Sequence, residues 1–164
     1  MHQGRLNAYW LPLAVLTCIL GGCPSSSPST EVKEFLEKPL EEMYEAFSAF
    51  SPERQVEAYL AAQMLHPPLT SFCEELGKNS GAAAIDPLLR ALKTETGNYR
   101  KVALLKGVSC VTNEVPDACT DRVLAEARGA AASVRGRNHK LEADRAVSYF
   151  PCSEGRARAA EPDP

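Results

Sequence analysis

Several things are scarce in this chain. It has one Trp and three His in 164 residues. No two of its six Cys stand in a Cys-x-x-Cys pair. That spacing is the usual core of a zinc site or a thioredoxin-like redox site, so neither is expected, and no metal or cofactor is assigned. No run alternates apolar and polar residues, and the Asn-Gly and Asp-Gly hairpin signals are absent; strands are therefore not expected. No apolar stretch reaches the roughly 20 residues that a membrane-spanning helix needs. The net charge is −3, too modest to point to nucleic acid.

Residues 6–23 are the most informative stretch. Met1's amine and Arg5 precede an apolar run from Ala8 to Leu20, and Gly21 and Gly22 then lead to Cys23. The order is that of an export signal, not of a folded element. The last four residues, Leu20-Gly21-Gly22-Cys23, resemble the lipobox of bacterial lipoproteins. The resemblance implies cleavage before Cys23, diacylation of its thiol and a lipid-anchored chain on the periplasmic side of the envelope. Residue 24 is Pro, not the Asp that retains many lipoproteins in the inner membrane, so the outer membrane is the expected site. The match covers residues 1–22 and Cys23 only; the folded part resembles no family on its motifs.

Three further parts follow from composition. Residues 23–30 form a Pro/Ser tether that spans at most about 28 Å. Residues 31–152 carry the helical domain, and 153–164 are an Arg/Ala/Pro-rich tail expected to be disordered. Charge is uneven: Glu31 to Glu57 holds eight acids and three bases, and Arg122 to Arg158 eight bases and four acids. Such asymmetry fits solvated helix faces, a surface near lipid phosphates or an acidic partner.

Once Cys18 leaves with the signal and Cys23 is acylated, Cys73, Cys110, Cys119 and Cys152 remain. An even number in an exported chain suggests two disulfides. Pro116 favours Cys110–Cys119, leaving Cys73–Cys152. The loop-entropy model gives these roughly 2.7 and 4.5 kcal/mol.

Helical stripes recur along the domain. Val32, Phe35, Leu36, Leu40, Met43, Phe47 and Phe50 step by threes and fours, with Pro39 kinking the stripe or opening a second helix. Thr30 is placed to cap its start. Ser51-Pro52-Glu53 and Asp86-Pro87 are cap-then-Pro helix starts. Starts are predicted near residues 52, 69, 87, 98 and 119, with a last helix through Leu141, Ala143, Val147 and Phe150. Lys78-Asn79-Ser80-Gly81 is predicted as a loop and Asn98 as a cap. The class is all-α: an irregular bundle of about six helices, or helical hairpins resembling HEAT-like repeats, of which Pro87 to Val111, with Tyr99-Arg100-Lys101-Val102, is the most suggestive piece.

No catalytic set stands out. His66 ends a helix and His139 lies in a basic stretch. Glu41, Glu42 and Glu45, like Glu74 and Glu75, read as wet helix faces. Gly77 to Gly81 lacks the phosphate-loop spacing. Phe35, Tyr44, Phe47, Phe50 and Tyr59 fall at core spacing, with Tyr44 offset. The expectation is a non-enzymatic periplasmic lipoprotein that binds another protein, as an immunity or inhibitor protein or an accessory subunit of an envelope complex. The competitors are an envelope hydrolase and a lipid or small-ligand carrier. Intact mass spectrometry of the membrane-extracted protein should find a chain starting at Cys23, heavier by its acyl groups and lighter by the hydrogens lost in two disulfides. A full-length, fully reduced chain in the cytosol overturns the export reading.

Overall fold

A computed structural model describes residues 27–152. The expected signal, Cys23 and the 153–164 tail lie outside the described residues. Eight α-helices follow one another: α1 Thr30–Leu36, α2 Leu40–Ala49, α3 Pro52–Gln63, α4 Phe72–Ser80, α5 Ile85–Thr94, α6 Asn98–Glu114, α7 Asp121–Ser133 and α8 Arg137–Ser148. Short 3₁₀ turns at Gly81–Ala84 and Pro116–Ala118 join α4 to α5 and α6 to α7. Among the described residues there is no strand, and no helix is long and apolar enough to cross a membrane.

Successive helices pair as hairpins, α1–α2, α3–α4, α5–α6 and α7–α8, and the hairpins stack. The odd helices α1, α3, α5 and α7 make one layer; the even helices α2, α4, α6 and α8 make the other. Of the two arrangements the spacing allows, stacked hairpins are the one the contacts follow. The short connections make hairpin partners antiparallel.

Helix α6 is the longest, at 17 residues, and packs on α3, α4, α5, α7 and α8. Val102, Leu104, Leu105, Val108 and Val111 are buried along it. Two glycines allow the close approach. A Cβ at Gly107 would stand 2.8 Å from Tyr59 Cε1 and 3.0 Å from Leu88 Cδ2; one at Gly77 on α4 would stand 2.6 Å from Glu114 Cγ. Tyr59 is fully buried and donates its hydroxyl to Ala103 O at 2.7 Å, which satisfies the one polar atom it carries inside.

The first hairpin is held by aromatic rings. Phe72 on α4 packs against Phe47 at 5.0 Å, Tyr44 at 5.2 Å and Phe35 at 5.5 Å between centroids. Tyr44, offset in the stripe, is half-buried; its ring stacks on Phe72 and its hydroxyl donates to Ser71 Oγ.

The disulfides are Cys73–Cys110 and Cys119–Cys152, not the pairing that Pro116 favours. The reason is the length of α6. Cys110 is followed by another helical turn to Glu114, so it faces α4 and Cys73, and the Pro116 turn comes too late to fold Cys119 back onto it. That turn instead delivers Cys119 to the start of α7, beside the residues after α8. The first bridge thus joins the second and third hairpins, and the second closes the fourth. Sequence separations of 37 and 33 residues give about 4 kcal/mol each on the loop-entropy model.

Local departures have simple causes. Ser29, not Thr30, caps α1, its hydroxyl accepting from Val32 N. Residues 78–80 are the last turn of α4, because Gly81, at φ 51°, ends the helix instead of Gly77. Asp86 lies inside α5, since the 3₁₀ turn runs straight into Ile85; Gly97, not Asn98, precedes α6. Leu141, expected to be inward, is 59% exposed because α8 is the last helix of its layer.

Gly107→Ala should lower stability by about 1–3 kcal/mol, because the added methyl meets two buried side chains. Gly129→Ala, on α7 where nothing lies within 4 Å of the new Cβ, should raise it by up to about 1 kcal/mol through helix propensity. Urea unfolding of the two variants beside the parent chain measures both.

Candidate functional site

The odd layer carries two grooves, each between neighbouring helices and closed at one end by the first turn of α6. The α3–α5 groove has a volume of about 280 Å³. Val56, Leu60, Pro87 and Ala91 give it an apolar base, and Glu53, Glu57, Arg90 and Arg100 stand around it. These charges balance. Arg90 Nη2 meets Glu53 Oε1 at 3.2 Å, and Arg100 Nε meets Glu95 Oε2 at 2.6 Å.

The α5–α7 groove is larger, about 360 Å³, over Leu89, Leu92 and Ala130, with Lys93, Lys101, Glu126 and Ser133 on its walls. Lys93 Nζ lies 3.1 Å from Glu126 Oε2, an oxygen withdrawn from solvent that takes no other partner. Lys101 Nζ donates to Ser133 Oγ at 2.9 Å, and that hydroxyl donates to Ala130 O. Among the described residues Lys101 therefore meets a neutral group only. Beyond Ser133 the chain turns at Arg135, whose backbone N–H donates to Asn98 Oδ1 at 3.0 Å. Tyr99 stands beside this corner, 44% exposed, with the His139 ring edge-on at 6.3 Å.

A third feature is the polar junction at the start of α1. Ser29 N donates to Glu57 Oε1 at 2.5 Å, and Arg54 Nη1 donates to Ser29 Oγ at 2.6 Å and to Glu57 Oε2. Arg54 Nε also meets Glu31 Oε2 at 2.9 Å. Burial pushes the Glu57 carboxyl up, but the Ser29 N–H and hydroxyl together with Arg54 outweigh it, holding Glu57 below the usual glutamate range. Glu95 behaves alike: burial raises it, and the Gly97 N–H, Arg100 and the Thr96 N–H bring it below that range.

The histidines do not come together as a site. His66 is exposed after α3, its Nδ1 2.8 Å from Leu65 O, whereas His139 is on α8. Glu41, Glu42 and Glu45 are exposed on α2. Glu74 and Glu75 pair with Lys78 on their own helix at 3.6 and 3.4 Å. Among the described residues no three His, Cys, Asp or Glu side chains are grouped to hold a metal ion. The groove residues Lys93 and Ser133 carry no signal in the sequence, and Ala130 reads there only as part of an Ala-rich helical stripe; the hairpin pairing makes them neighbours. Lys101 falls in the stretch that suggested a repeat.

Comparison with known proteins found no matching family model, no matching curated protein and no matching solved structure.

A carboxyl whose folded pKa lies below its unfolded one stabilises the fold above the ordinary carboxylate range, and that contribution is lost as pH falls through the folded value. The melting temperature should therefore fall from about pH 5 downward, and less steeply in the Glu57→Gln, Glu95→Gln double variant. Thermal melts between about pH 6 and pH 3 check this; equal slopes would remove these two groups as the cause.

Proposed function

We propose that this chain is a lipid-anchored lipoprotein on the periplasmic side of the envelope, at the outer membrane, and that its hairpin stack binds another protein without catalysing a reaction. The observation that carries the binding role is the α5–α7 groove, an apolar trough with a cationic rim on the open face of a helical stack. Stacked hairpins commonly use such extended faces to hold partner chains. Two disulfides are what a chain folding in an oxidising compartment acquires, in keeping with the Leu20-Gly21-Gly22-Cys23 resemblance and acylation of Cys23.

The tether junction supports the same reading. Ser29 is fixed to Arg54 and Glu57 on the odd layer, so only residues 24–28 lie between the acylated Cys23 and a rigid attachment. The α5–α7 groove lies farther along that layer, about 15 Å from α3 at about 10 Å per helix spacing. A partner could reach it without displacing the anchor. An immunity or inhibitor protein and an accessory subunit of an envelope complex both fit this geometry.

Cross-linking in intact envelope membranes should capture one stoichiometric protein partner with the chain in the membrane fraction. A clean monomer under several growth conditions, or a chain recovered from the cytosol, counts against the proposal.

A further inference from the structure

We infer that the α5–α7 groove docks a segment of a partner protein that pairs apolar side chains with Asp or Glu. This rests on the protein-binding reading above and names its surface. The shape argues for a macromolecule. Pockets for small ligands enclose most of the ligand. This groove is a half-open trough on Leu89, Leu92 and Ala130, suited to side chains projecting from a larger body.

The charge argues for an acidic partner. Glu126 is the one acid on the groove walls, and Lys93 already neutralises it at 3.1 Å. Among the described residues Lys101 meets the Ser133 hydroxyl and no carboxylate. Arg135, between α7 and α8, and Arg137, at the start of α8, also have no carboxylate in ion-pair range among the described residues. The neighbouring α3–α5 groove has no such surplus. Lys101 also sits against the helix dipole. It falls in the opening turns of α6, where the positive end of the helix disfavours a cation. Arg100 beside it is relieved by Glu95 at 2.6 Å; Lys101 is not. A carboxylate arriving over the trough supplies the missing charge while its apolar neighbours cover the floor.

The test is selection of random 12-residue peptides on the immobilised full chain, followed by titration of the enriched peptides. The expected result is enrichment of peptides that combine Leu, Ile or Phe with Asp or Glu. Their affinity should weaken with salt and by about tenfold or more in Lys101→Glu, which reverses the charge, and in Ala130→Leu, which fills the trough. Lys33→Glu, on α1, should leave it unchanged, and thermal melts of all variants should confirm that they fold. Enrichment of basic or purely apolar peptides, no enrichment, or affinity indifferent to both groove substitutions overturns the inference. Displacement of the peptides by laurate or by anionic phospholipid vesicles also overturns it, in favour of a lipid-type ligand. If envelope cross-linking captures its partner equally well with both groove variants, protein binding stands and this surface is not its site. If cross-linking captures no partner, the broader reading falls with it.

Discussion

The close approach of α6 to its neighbours is the constraint on which the stack depends. A helix that touches five others must present small residues where the crossings are tightest, because ordinary helix pairs stand 8–10 Å apart. Gly107 lets Tyr59 and Leu88 reach the α6 backbone, and Gly77 lets α4 reach Cys110 and Glu114. Once α6 is that deep, Tyr59 is sealed from water and its hydroxyl must find an internal acceptor, which Ala103 O provides. Burial pushes that phenol's pKa well up, so it stays a neutral donor. The disulfide Cys73–Cys110 then locks the α4–α6 contact that Gly77 makes possible.

A stack of hairpins is weakest at its ends, where a terminal unit has only one neighbour. The two ends are secured differently. At the C-terminal end Cys119–Cys152 closes the last hairpin, whose helices α7 and α8 rely on small core residues such as Ala127, Ala131, Ala143 and Ala146. Those bury little area each, so a covalent closure adds most there. At the N-terminal end there is no bridge among the described residues, and the rings of Phe35, Tyr44 and Phe47 grip Phe72 instead. Ser29, Arg54 and Glu57 add a polar clamp at the point where the chain enters α1.

The helices were largely legible because their apolar stripes keep helical spacing, and Ser51-Pro52 and the Gly97 break are strong local punctuation. The misread points are ones where a tertiary neighbour decides. Gly77 looked like a helix end, but it is retained inside α4 because α6 needs the space. Gln55, a polar residue outside the apolar stripe, is buried, its Oε1 accepting from Ser80 Oγ and its Nε2 donating to Phe50 O. The disulfide pairing depended on which face of α6 Cys110 occupies and on α6 running a further turn, to Glu114, before the chain reverses. The groove was illegible for a stronger reason. Its walls come from α5, α6 and α7, and no local pattern links residues 93, 101, 126 and 133 until the hairpins stack.

The ion pairs along the odd layer explain why one groove differs from the rest. Glu31–Arg54 joins α1 to α3, Glu53–Arg90 joins α3 to α5, and Asp86–Arg122 and Lys93–Glu126 join α5 to α7. Most of these pairs are exposed, and each adds at most about 1 kcal/mol. Their larger effect is on charge: at each crossing between odd helices a cation is met by a carboxylate. Lys101 breaks the pattern: it comes from the even layer, at the opening of α6, and among the described residues it has no carboxylate in ion-pair range. Helix sequences ordinarily avoid a cation near that end, and among the described residues no carboxylate offsets the one at position 101. The stack itself would tolerate a neutral side chain at position 101, since its contact there is only the Ser133 hydroxyl. The surplus positive charge is thus a property of the surface and not of the core, and it lies beside the larger of the two described grooves.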